Sequence, residues 1–119
     1  MTKKLLRLGM AAALFAGICG AEQKTITGYL IDKACSSDAI KKGESMAKTH
    51  DIGCLTMDDC AKSGFGVYTT DGKFVSFDPA GNQQALAAVK SSGKKTDLRV
   101  TVTGNVTGDT IKVSSIKVN

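Results

Sequence analysis

The hydrophobic pattern along the chain changes period several times. Residues 25–32 alternate, with Ile26, Gly28 and Leu30 on one side and Thr27, Tyr29 and Ile31 on the other. That is strand periodicity with apolar side chains on both faces. Residues 66–70 and 73–78 are two short runs rich in Val, Phe, Tyr and Thr, joined by Asp71-Gly72, a dipeptide that accepts the positive φ of a tight hairpin turn. Asp78-Pro79 then reads as a helix entry, a capping carboxylate before a residue with no amide to leave unpaired. Ala85, Leu86, Ala88 and Val89 follow at helical spacing, and Gly93 closes the stretch. Beyond it Leu98, Val100 and Val102 alternate with Arg99, Thr101 and Thr103, and after residues 104–109 the alternation resumes at Ile111 and Val113. Parity slips by one residue at Ser114-Ser115 before Ile116 and Val118, which predicts a β-bulge in the last strand.

Three strands, one helix and two strands predict a mainly β domain with short helices (α+β), in the element order of an OB-like five-stranded barrel. A split sheet with one packed helix is the competing arrangement. Between the first and second strands lies an insertion, residues 33–64. Its stretches 39–48 and 52–63 have helical composition interrupted by Gly43 and Gly53, which predicts two short helices across one mouth of the barrel. The whole expected order is β, helical Cys/His insertion, β, β, α, β, β.

The beginning of the chain does not belong to this pattern. Lys3, Lys4 and Arg7 precede an apolar stretch from Leu8 to Ile18 and then small residues at Cys19-Gly20-Ala21, which reads as a secretory signal peptide over residues 1–21. The apolar run is too short for the ~20 residues of a spanning helix. Acylation of Cys19 is the lesser reading, because Ile18 stands where a lipoprotein needs a small residue. A single OB-like domain, residues 22–119, is expected to remain, periplasmic or secreted, with no transmembrane segment. Removing three bases from sixteen leaves thirteen against eleven acids, so the formal charge falls from +5 to +2. A nearly neutral domain with no Trp and 5% aromatic residues argues against nucleic acid as a partner, since that needs a clustered basic face and stacking platforms.

The candidate chemistry is concentrated in the insertion, which carries Cys35, His50, Cys54 and Cys60. Three thiols and one imidazole are a common zinc-holding set. His50 and Cys54 are four apart and would share a face on one helix. Cys54 and Cys60 are six apart, about 240° and ~9 Å on an ideal helix, so a common site requires a break between them or near Gly53. Met46, His50, Cys54 and Met57 also follow helical spacing, and a thioether, imidazole and thiolate set suits Cu(I); Met at such spacing also serves as ordinary core. In an exported domain the cysteines have a competing use, one structural disulfide with a thiol left over. Asp32, three before Cys35, is expected to cap the following turn rather than to ligate through its carboxylate, and Asp58-Asp59 to lie on a solvated helix face. Gly-rich phosphate loops, a Ser-His-Asp context, Cys-x-x-Cys and Cys-x-x-Cys-His are all missing from the sequence, so enzyme chemistry and covalent haem have little support.

Gly28-Tyr29-Leu30-Ile31-Asp32-Lys33-Ala34-Cys35, then His50, Cys54, Cys60 and Gly64, the Asp71-Gly72 turn, and Thr103-Gly104 with Ile111 and Ile116 together resemble a group of small exported bacterial proteins of largely unknown function. The resemblance spans nearly the whole chain after the leader and implies an OB-like fold with a Cys/His cluster. In that group the last two cysteines are often closer together, whereas five residues separate Cys54 from Cys60 here. The expected function is a non-enzymatic exported binding protein that holds zinc or copper. The alternative is a disulfide-stapled envelope module for a peptide, glycan or protein partner, and the third reading is a thiol-redox protein.

Overall fold

The structure is a computed structural model, and it describes residues 22–119. The leader reading of residues 1–21, Cys19 included, lies outside the described residues. Five strands, β1 (Glu22–Asp32), β2 (Phe65–Thr69), β3 (Phe74–Phe77), β4 (Arg99–Thr107) and β5 (Thr110–Val118), form one closed sheet in the order β1-β2-β3-β5-β4. The long first strand makes closure work because two partners share it. Residues Glu22 to Tyr29 pair with β4 and residues Gly28 to Asp32 pair with β2, both antiparallel. Gly28 belongs to both ladders, and a Cβ there would stand 2.1 Å from the Tyr68 carbonyl oxygen, so the close approach of β1 to β2 admits only glycine. The last seam is a short parallel pairing of β3 with β5, Ser76 with Thr110 and Phe77 with Ile111.

The bulge read from the sequence is present. Thr103 pairs with Ser115 and Gly104 with Val113, leaving Ser114 as the extra residue of β5. The predicted connection over residues 104–109 is much shorter than expected. β4 continues to Thr107 because Gly104 is buried and Val106 packs on the core, and Gly108, at φ 62°, makes the turn.

Leu30, Val67, Phe77, Val100, Val102 and Ile111 fill the interior. One helix closes it, here α5 (Pro79–Ser92), which buries Gly81, Ala85 and Val89. Asp78 fixes its entry, since its Oδ1 accepts from the Gly81 N–H at 3.2 Å and from the Val113 N–H at 3.0 Å. The helix start is thereby tied to β5. Gly93, left-handed at φ 73°, ends it as predicted.

The insertion differs from expectation in two ways. It holds four short helices rather than two, α1 (Ser36–Lys42), α2 (Glu44–Thr49), α3 (Ile52–Leu55) and α4 (Asp58–Lys62), after a 3-10 turn at Lys33–Cys35. Gly43, at φ 89°, breaks the first predicted helix, and Thr56-Met57 breaks the second, with Met57 extended at ψ 144°. Only the second half of the insertion packs on the interior core. Ala39 of α1 and Ala47 of α2 pack with Tyr29, Ile31 and Tyr68 on the outer face of β1 and β2, whereas Leu55 of α3 enters the interior core. This division explains why β1 is apolar on both faces. Ile26 and Leu30 face the interior cluster, while Tyr29 and Ile31 lie under α1 and α2. Among the described residues no helix is long and apolar enough to cross a membrane.

Candidate metal centre

The site forms where β1 ends. Asp32, its last residue, is fully buried (0% exposed). One carboxylate oxygen, Oδ2, accepts from the Cys35 N–H at 3.2 Å and caps the 3-10 turn, as the sequence predicts. The tight turn also brings residues i and i+3 to the same side, so the Cys35 side chain returns towards the carboxylate that caps it. The other oxygen, Oδ1, lies 2.7 Å from His50 Nε2. A buried carboxylate without such partners would be costly.

His50 arrives from the opposite side, in the extended residue that follows α2. Two backbone bonds hold the chain on either side of it. Asp97 N–H donates to the Lys48 carbonyl and Ile52 N–H donates to the Lys95 carbonyl, both at 2.8 Å. Asp51 then starts α3 by accepting from the Gly53 N–H. Residues 48–52 are therefore stitched to the segment before β4, which leaves the imidazole 9% exposed and directed at Asp32.

Asp32, Cys35 and His50 each bring one ligand atom to a common point, all within 4.8 Å of one another. Oxygen, sulfur and nitrogen converge there, and the group could hold a metal ion. The electrostatics suit a cation. Burial pushes the Asp32 carboxyl up, but hydrogen bonds from His50 and Cys35 and the attraction of the imidazole outweigh it and hold the carboxyl below its usual value. Burial, and then the neighbouring Asp32 charge, push the Cys35 thiol up to about 12. A bound cation would reverse this second effect, since coordination favours the thiolate and releases its proton to solvent.

The other predicted ligands are placed differently. Cys60, half-buried on α4, interacts with Asp32 and Cys35, and burial together with the Asp32 charge raises its thiol. It stands beside the trio without belonging to the mutually close set. Cys54 is exposed on α3, the helix that turns Leu55 inward. His50 and Cys54 do not share a helical face, because the chain is extended at His50 and Asp51 between α2 and α3. The stripe of Met46, His50, Cys54 and Met57 is lost for the same reason. Met46 packs against the outer cluster and Met57 is 58% exposed. Asp58 and Asp59 are exposed, as expected of a solvated face.

Asp32 is the candidate ligand for which the sequence favoured a capping role over ligation. Its signal was the Asp-x-x-Cys spacing at the end of a strand, where a cap and a ligand pair look identical. In comparisons with protein-family models, curated proteins and solved structures, the chain matches none.

Proposed function

We propose that this is an exported, non-enzymatic binding protein, an OB-like barrel whose insertion holds a soft or borderline metal ion through Asp32, Cys35 and His50. The observation that carries the reading is the convergence of these three ligand atoms within 4.8 Å, two of them on buried residues. A strand shared between β2 and β4, together with a parallel β3-β5 seam, supports the OB-like description. Export rests on the basic and apolar leader of residues 1–21.

A site with one carboxylate, one thiolate and one imidazole favours zinc. Copper(I) prefers thiolate and thioether, and with Met46 packed and Met57 exposed the thioethers lend it no support. Cys60, half-buried on α4, would complete a four-ligand set, whereas Cys54 is exposed on α3. The Cys35 thiol holds its proton more tightly than an ordinary cysteine, which favours a ligand role over nucleophilic catalysis.

Purification without chelator, followed by metal analysis, tests the reading. We expect close to one zinc per chain, with zinc affinity reduced at least tenfold in both Asp32→Asn and His50→Ala, on the order of the effect of removing one ligand or its orienting partner. A chain that takes up no zinc from a buffered solution, or two variants that bind as tightly as the parent, would remove the proposal.

A further inference from the structure

Two hydrogen bonds fasten the 3-10 turn to the residues that end α4, and a third ties that end back to Cys60. Lys33 N–H donates to the Gly64 carbonyl at 2.8 Å, Ala34 N–H to Ser63 Oγ at 3.0 Å, and Ser63 Oγ–H to the Cys60 carbonyl at 2.6 Å. These ties place Cys35, the last residue of the turn, beside Cys60 in α4. Cys54 has no part in the fastening. It lies on α3, beyond the break at Thr56-Met57, and faces solvent. Of the three thiols among the described residues, Cys35 and Cys60 sit on the two segments these bonds join, and Cys54 is the exposed one, on a separate helix.

We infer that Cys35 and Cys60 are the disulfide-forming pair, that Cys54 stays a thiol, and that the bridge and the metal ion exclude each other because both require the Cys35 sulfur. The last clause rests on the ligand role proposed above for Cys35. The oxidant is a disulfide of the glutathione class. Deprotonated Cys60 attacks one sulfur of that disulfide, forming a mixed disulfide and expelling one thiolate. Deprotonated Cys35 then attacks the Cys60 sulfur, forming the internal S–S bond and expelling the second thiolate. Two protein thiols lose two protons and two electrons, and one external disulfide becomes two thiols. An exported domain meets such oxidants, so the site would carry an ion when reduced and a bridge when oxidised.

Disulfide mapping and zinc titration of the same protein, purified from the periplasm, test this. The reduced chain is treated with oxidised glutathione and alkylated in denaturant. It is then cut with trypsin and with an endoproteinase that cleaves before aspartate, which separates Cys54 from Cys60 at Asp58 and Asp59. The expected products are a linked Cys35 and Cys60 pair and an alkylated Cys54, with zinc affinity at least tenfold lower in the oxidised chain. Cys54→Ser should give the same bridge, and Cys60→Ser none.

A bridge that includes Cys54, three alkylated cysteines, or equal zinc affinity in both redox forms overturns the inference. If the reduced chain takes up no zinc, the proposed function fails and the exclusion fails with it, whereas the peptide map judges the pairing alone.

Discussion

Asp32 has two duties that would be hard to combine on a surface residue. One oxygen caps a turn and the other meets an imidazole, so removing either partner leaves a buried acceptor. Its carboxyl lies below the usual range in the folded chain, so the fold favours the ionised form. The stability this supplies is present above the unfolded carboxyl pKa and is lost as pH falls through the lower folded value. Cys35 has the opposite sign, since the fold favours the protonated thiol. That contribution is present below the ordinary thiol pKa and is lost as pH rises towards about 12. Thermal melts of the metal-free, reduced chain should therefore weaken on both limbs. In Asp32→Asn the acid limb should flatten, and stability at neutral pH should fall by about 1.5 to 3 kcal/mol, the cost of losing a hydrogen bond to a charged group. An acid limb unchanged in that variant would assign it to other carboxylates.

The insertion is a set of short elements, none long enough to be stable in isolation, so each depends on what it touches. Leu55 of α3, fully buried in the interior cluster, anchors the second half, while Ala39 and Ala47 anchor the first half against the outer face of β1 and β2. Leu55→Ala should cost about 2 to 5 kcal/mol and loosen the segment that carries Cys54 and Cys60. The expected signature in hydrogen exchange is lost protection in residues 52–62, with β4 and β5 retained; uniform loss across the chain would mean that the insertion and the sheet unfold as one unit.

The alternation in β1, β4 and β5, the Asp71-Gly72 turn, the Asp78 cap and the slip at Ser114 were all readable, because each is local and periodic. The breaks in the insertion were harder. Helical composition does not reveal that Met57 is extended or that His50 lies between helices. His50 is held in place by bonds from residues 95 and 97, far away in the sequence. The trio at the site was half legible for the same reason. Asp-x-x-Cys is a local turn, but the meeting of Asp32 with His50 spans eighteen residues and depends on ties from residues 95 and 97.

At the scale of the molecule, one long strand recruits both β2 and β4, and its last residue is the floor of the site. The strand that closes the sheet thus also supplies one of the site's residues. The fold holds the carboxylate, the imidazole and their approach to Cys35 before any ligand arrives, which lowers the ordering cost of binding. The most direct measurement of this account is the zinc K-edge X-ray absorption of the zinc-loaded, reduced protein. It should contain a sulfur shell near ~2.3 Å beside nitrogen and oxygen at ~2.0 to 2.2 Å, with the sulfur amplitude reduced in Cys35→Ser. A shell of nitrogen and oxygen alone, or a sulfur signal indifferent to Cys35→Ser, would contradict it.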